Sequence, residues 1–303
     1  MIDEHPNRNI GLDLVRVTET AALAAGHWLG SGDRESAHRA ATRAMASALD
    51  TLDMDGVVVI GEERPLNGYS PLCSGNKVGT GFGAEVDLVV DPIDGTDLLI
   101  RGQPGAISVV GVTPRGTMWS PAPAQYMEKI IVDQEAADAL VPECLDAPAA
   151  WTLAMIARVK RKAVRDLTVM VLDRNRNASL IQEIRDTGAH IILKEEGDAE
   201  GALVTLSPGT GVDLLMGIGG AIQGVLAACA VKALHGAMLA RLAPQSADEQ
   251  AEIIAAGLDP KAIFDCNGLI QTDEVFFAAT GLCAAWLLNE YATFRIVTFY
   301  IKS

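Results

Sequence analysis

The sequence lacks the features that would send it to a nucleic acid, a membrane or an oxidising compartment. Its 24 Lys and Arg are outnumbered by 39 Asp and Glu, the formal net charge is −15, and no long basic run occurs. There is thus no cationic face with which to track a phosphodiester backbone. No apolar stretch reaches the roughly 20 residues that a membrane-spanning helix needs. The opening Met1-Ile2-Asp3-Glu4-His5-Pro6 has neither the basic start nor the apolar core of an export signal. Five cysteines, Cys73, Cys144, Cys229, Cys266 and Cys283, form no CxxC pair and no zinc-finger spacing, and read as reduced thiols. These absences predict a cytoplasmic protein with no nucleic-acid and no membrane partner. Internal repeats and low-complexity segments are also missing.

What the chain does have is material for a core. With 303 residues, 49% hydrophobic and 21% charged, it is globular and long enough for one large domain or two fused halves. An acidic protein that handles an anionic ligand must gather its positive charge locally, through metal ions or selected arginines.

One stretch concentrates chemistry: Val86-Asp87-Leu88-Val89-Val90-Asp91-Pro92-Ile93-Asp94-Gly95-Thr96. Leu88 to Val90 suit a buried strand, which Pro92 should end, and Gly95 permits a tight turn. Asp91 and Asp94 can then converge on one hard cation, and Thr96 can offer a hydroxyl or N–H to a phosphate. The alternative is a strand followed by an ordinary turn. Val57 to Ile60 repeats the pattern, ending in Gly61-Glu62-Glu63. Two strands delivering carboxylates from their C-terminal ends would suit a cation site at one sheet edge.

Before these strands, helices are predicted over Gly11 to Leu29 and Arg34 to Leu52, broken at Gly30-Ser31-Gly32. Asp33 sits at the junction, as a helix N-cap or as a third carboxylate for a cation. Arg64 to Gly83 reads as an irregular loop and Ala106 to Val112 as a strand. Tyr126 precedes a strand-like run, as packing or as a ligand contact. A domain boundary is placed near residue 150, giving a metal-binding half (1–150) and an α/β half (151–303) that completes the substrate site. In the second half, strands over Leu167 to Leu172 and His190 to Leu193 flank a helix, a β-α-β rhythm that predicts a partly parallel sheet. Arg174 and Arg176, one residue apart, can clamp a phosphate or simply be solvated. Gly219-Gly220 opens an apolar helix over Val225 to Leu234. Late strands are expected at Val275 to Ala279 and Ile296 to Ile301.

With these pieces assembled, the chain resembles the class II (GlpX-type) fructose-1,6-bisphosphatases, including the bifunctional fructose/sedoheptulose bisphosphatases. The resemblance rests on Gly11 to Glu19, Gly32-Asp33, Asp53 to Glu62, Lys77 to Gly81, Asp91 to Thr96, Tyr126 to Lys129, Gly219 to Ala221 and Ala279 to Gly281. It implies an α/β fold, the α-β-α-β-α five-layer sandwich of the metal-dependent, lithium-sensitive sugar phosphatase superfamily. It also implies Mg2+ or Mn2+, hydrolysis of the 1-phosphate of a ketose bisphosphate, and a homodimer or homotetramer. By similarity, Asp33, Glu62, Asp91 and Asp94 hold two or more cations, and Thr96, with Glu62 and Asp94, serves the chemistry. Gly95 contacts phosphate together with Asp94 and Thr96, and Tyr126, Arg174, Arg176, Glu196, Gly197, Asp198 and Gly220 hold the sugar phosphate.

Several positions depart from the family pattern. A metal-ligating glutamate is replaced by Gln223, whose amide oxygen can coordinate but carries no charge, and Ile222 precedes it in place of proline. A family glutamate becomes Asp94, a Lys-Pro-Arg becomes Arg174-Asn175-Arg176, and an acidic loop is lost after Glu63. The other readings are a superfamily phosphatase acting on an inositol phosphate or nucleotide bisphosphate, and a homologue with impaired catalysis.

Overall fold

In the computed structural model, which describes residues 10–62 and 70–282, two helices open the chain: α1 (Ile10–Gly26) and α2 (Arg34–Leu49). They lead into β1 (Met54–Ile60), β2 (Lys77–Val78), β3 (Ala84–Asp94), α3 (Thr96–Ile100), β4 (Ile107–Pro114) and β5 (Tyr126–Val132). After two short helical turns come α4 (Ala149–Val159), β6 (Thr168–Leu172), α5 (Ala178–Asp186), β7 (His190–Lys194), α6 (Asp198–Leu206) and β8 (Leu214–Gly220). The chain continues through α7 (Ala221–Ala233), β9 (Ala237–Leu242), α8 (Ala247–Ala255), β10 (Phe264–Asp265), α9 (Cys266–Leu269) and β11 (Phe276–Gly281). The strand expected at 296–301 and the 64–69 part of the expected loop lie outside the described residues.

The strands form two sheets, ordered β11-β4-β3-β1-β2 and β10-β9-β5-β8-β6-β7. β1 and β3 are parallel, as are β6 with β7 and β6 with β8, while the other pairs are antiparallel. Strand side chains alternate between faces, and here both faces are covered. On β3, Leu88 and Val90 pack with Leu14, Val17, Met45 and Leu49 of α1 and α2, whereas Val89 points the other way, into the cluster containing α6 and α7. On β5, Met127 and Ile131 join that same inner cluster, while Ile130 and Val132 pack with Leu153 and Ile156 of α4 and Ile181 and Ile184 of α5. The result is the expected α-β-α-β-α sandwich: α1 and α2, a sheet, α6 and α7, a sheet, α4 and α5.

The division near residue 150 does not follow the sheets. β5 lies inside the second sheet and β11 returns to the edge of the first, so each sheet takes a strand from the other half of the chain. β3 also departs from the sequence reading: the strand passes through Pro92 to Asp94. Its register slips by one residue between Asp91, opposite Val109, and Asp94, opposite Ile107. Pro92 falls in this bulge, where a missing N–H breaks no ladder.

At the end of β1, Gly61 runs against the next segment. A Cβ added there would lie 1.9 Å from the Leu72 carbonyl oxygen, the same oxygen that accepts from the Glu62 N–H at 2.9 Å. Backbone, not a flexible side chain, fills that space. Gly61→Ala is expected to cost about 1–3 kcal/mol, read as a lower urea midpoint at unchanged slope.

Candidate active site

Asp91 and Asp94 flank the bulge in β3, and their carboxylates meet α7 and α6 respectively. Asp91 Oδ1 accepts from the Ile93 N–H at 3.1 Å and its Oδ2 accepts from Gln223 Nε2 at 2.8 Å. Asp94 Oδ2 accepts from the N–H groups of Ala199 (2.9 Å) and Glu200 (3.3 Å), in the first turn of α6. Thr96 is buried, and its Oγ1 donates to the Ile93 carbonyl at 3.1 Å, which leaves the hydroxyl's lone pairs for another donor. Gly95 reaches the turn with φ +87°.

A second acidic turn faces this one. Glu196 Oε2 accepts from the Asp97 N–H of α3 at 3.0 Å, Gly197 has φ +89°, and buried Asp198 pairs with Lys129. Arg174 Nη2 lies 3.5 Å from Glu196 Oε1. Arg176 donates from Nε to the Ile218 carbonyl at 3.0 Å, with its guanidinium 4.7 Å from the Tyr126 ring centroid. Both arginines are held before any ligand arrives.

These residues share one cavity of about 210 Å³, lined by Asp91, Asp94, Gly95, Thr96, Arg174, Arg176, Glu196, Gly197, Asp198, Gly220 and Gln223. An adjoining cavity of about 800 Å³ shares Arg34, Asp91, Thr96 and Gln223 with it and adds His38, Glu62 and Tyr126. Asp33 lines neither. It is exposed and caps α2, accepting from the Ser36 N–H at 3.0 Å, and this hydrogen bond holds its carboxyl below the ordinary value.

The crowding of carboxylates is visible in their protonation. Burial, then the charge of Glu62, pushes the Asp91 carboxyl up to about 7, against the opposing Gln223 hydrogen bond. Burial, then Asp91 and Asp198, raises Asp94 well above the carboxylate range, with Lys194 opposing. Glu196 is raised by burial. Buried carboxylates that repel one another in this way suit a place where a cation belongs. Among the described residues, no group of three or more His, Cys, Asp or Glu side chains is arranged as a metal cage. Magnesium asks for less: it commonly uses one or two carboxylates and completes its shell with water and substrate phosphate. Asp91 and Asp94 fit that demand.

Sequence reasoning passed over Arg34, His38, Lys129 and Lys194. Arg34 and His38 stand four apart on α2 and so share a face; the N-cap at Asp33 was the available signal that this face meets the site. Arg34 pairs with Asp97 of α3, and His38 Nε2 lies 2.6 Å from Glu62 Oε2. That hydrogen bond, more than the opposing burial, raises the His38 pKa. Lys129 and Lys194, both buried, pair with Asp198 and Glu200.

Two outcomes follow from this geometry. Asp94→Ala removes the acceptor for α6 and is expected to lower stability by about 0.5–2 kcal/mol. Asp94→Asn keeps an acceptor oxygen and is expected to retain more of the thermal stability, which thermal melts of the two variants read side by side. Second, a carboxyl whose pKa rises on folding keeps its proton at pH values where the unfolded chain has lost it. Its contribution is therefore full below the ordinary 3.8 and drains away as pH rises to about 7. Chelator-treated protein is expected to melt at a lower temperature at about pH 8 than at about pH 5, added Mg2+ reversing part of the loss and Asp91→Asn flattening the slope.

Residues 8–298 match the family described as bacterial fructose-1,6-bisphosphatase, glpX-encoded. The chain is similar to fructose-1,6-bisphosphatase class 2 of Haemophilus influenzae, 38% identical over 300 residues that cover 93% of this chain and 87% of that protein. It is also similar to fructose-1,6-bisphosphatase 1 class 2 of Escherichia coli strain K12, 36% identical over 299 residues, with 93% and 86% covered. The matched span contains both acidic turns and the arginine pair, and the chain belongs to the bacterial, glpX-encoded fructose-1,6-bisphosphatase family.

Proposed function

We propose that this chain is a metal-dependent phosphatase that releases the 1-phosphate of fructose-1,6-bisphosphate, using Mg2+ or Mn2+. The observation that carries this reading is a single cavity lined by two unlike sets of groups, Asp91, Asp94 and Thr96 on the one hand and Arg174 and Arg176 on the other. A receptor of that form suits a molecule with one phosphate to be hydrolysed and one to be held. The relatives' names supply the sugar.

Asp91 and Asp94 are the residues to hold an ion. When bound, it would polarise the phosphoryl oxygens and lower the pKa of a water. Thr96, with its proton on the Ile93 carbonyl, can accept a hydrogen bond from the attacking water and aim it. The arginines hold the distal phosphate: Glu196 fixes Arg174, and Tyr126 with the Ile218 carbonyl fixes Arg176, so little side-chain entropy remains to be lost on binding. Asp198 and Gly220 complete the wall facing the sugar. The family resemblance supports a cytoplasmic homodimer or homotetramer as the acting assembly.

Phosphate release from fructose-1,6-bisphosphate with Mg2+ or Mn2+ is the direct test, and no release with either ion overturns the reading. The R174A/R176A double variant is expected to raise KM for the bisphosphate by about tenfold or more, the scale of a lost charged hydrogen bond, and to leave KM for a sugar monophosphate nearly unchanged. Equal changes for both substrates would remove the distal phosphate from the arginines.

A further inference from the structure

Helix α1 buries one face, through Leu14, Val17, Thr18, Ala21, Ala22 and Ala25. At about 100° per residue, Leu12, Arg16, Glu19 and Leu23 fall on a single stripe on the opposite side of the helix. The outward stripe of a surface helix is normally polar, yet Leu12 is 59% and Leu23 56% exposed. A lone exposed leucine needs no explanation. Two on one stripe, about three turns apart with a charged pair between them, make a patterned surface of the kind that binds a partner. The charges also wait for partners: Arg16 is exposed and Glu19 half-buried, and neither side chain has an ion pair or hydrogen bond among the described residues.

The order of the stripe, Leu-Arg-Glu-Leu, is its own complement when a second helix is laid against it in the opposite direction. About a two-fold axis midway between Arg16 and Glu19, Leu12 meets Leu23 of the second copy and Arg16 meets Glu19 of the second copy, and each contact occurs twice. A parallel pairing would set Arg16 on Arg16 and Glu19 on Glu19, which repel. Charge thus selects both the partner and its direction, because this one face carries both halves of the contact.

We propose that the exposed face of α1 is the docking surface for a second copy of this chain, packed antiparallel about a two-fold axis. Leu12 and Leu23 supply the apolar ends, about 16 Å apart along the helix, and Arg16 and Glu19 supply the ion pairs that set the register. No residue of α1 lines either cavity of the active site, so the proposal stands apart from the phosphatase reading.

Sedimentation equilibrium of the full chain tests the face through its charges, on variants whose circular dichroism matches that of the wild type. The wild-type chain is expected to sediment as a dimer or as a dimer of dimers. Arg16→Glu sets like charges against each other at both contacts, and is expected to raise the dissociation constant of the α1 contact by about tenfold or more; Glu19→Arg is expected to do the same. The R16E/E19R double variant restores opposite charges in exchanged places and is expected to recover the wild-type mass. Leu23→Gln, which leaves the charges alone, is expected to weaken the same contact. A monomeric wild-type chain overturns the proposal, as does a single charge reversal that keeps the wild-type mass, or a double variant that fails to recover it. Mass is read without phosphate release, so the dimer face and the phosphatase reading fail separately.

Discussion

Two carboxylates, each one residue before a left-handed glycine, hold the helix that the other one's glycine begins. Asp94 precedes Gly95, which starts α3, yet its oxygen accepts from the N–H groups of α6. Glu196 precedes Gly197, which starts α6, yet its oxygen accepts from the Asp97 N–H of α3. A helix leaves its first N–H groups without intrahelical partners, and a glycine at the N-cap has no side chain to satisfy them. The acceptors are borrowed across the site. This exchange ties the end of β3 in the first sheet to the β7-α6 connection beside the second, and so fixes how Asp91 and Asp94 stand relative to Arg174 and Arg176.

The exchange also concentrates negative charge, and the lysines beneath it follow from that. Lys129, buried in β5, pairs with Asp198 and donates to the Gly220 carbonyl at 3.2 Å; Lys194, at the end of β7, pairs with Glu200. The glycines around them are a matter of space. A Cβ on Gly219 would lie 2.0 Å from Asp198 Oδ2, and one on Gly105 would lie 3.2 Å from Glu200 Oε2. Buried ion pairs contribute little net stability when complete, but losing one partner leaves an isolated charge that costs several kcal/mol, about 3–5. Lys129 therefore acts on the site through Asp198, and Lys194, paired with Glu200, also bears on Asp94 by its charge.

Much of the site was legible because its parts lie at strand ends marked by glycine and acidic residues. Asp91 to Thr96 and Glu196 to Asp198 are both such turns, and the structure brings them to one cavity. Asp33, read as an N-cap or as a carboxylate for a cation, does cap α2, its Oδ1 holding the Ser36 N–H. Other parts left no local trace. α6 is buried along its whole length, so it has no polar face and no helical period to read. β9 carries alanines and Arg241 in a short strand, a weak pattern by composition. The His38–Glu62 and Lys129–Asp198 pairs join residues 24 and 69 apart, and nothing in the linear sequence announces such partners. The resemblance supplied the ligand roles; the way each carboxylate is held came only from the fold.

The double use of Asp94 explains how the site can exist without its ion. Burying Asp91 and Asp94 side by side is unfavourable, as the raised pKa of each shows, and a chain needing a cation to offset that cost would fold only when loaded. The N-terminus of α6 removes part of the requirement. It aims two N–H groups at Asp94 and carries the partial positive charge of a helix start, while Gln223 and the Ile93 N–H do the same for Asp91. These donors are neutral, so they position the two carboxyls without neutralising them, and burial leaves both readier to hold a proton. A cation bound there would displace protons and add to stability by mass action. Fold and site are thus coupled through the same oxygens: the donors that make the unloaded protein tolerable decide which lone pairs remain for the metal.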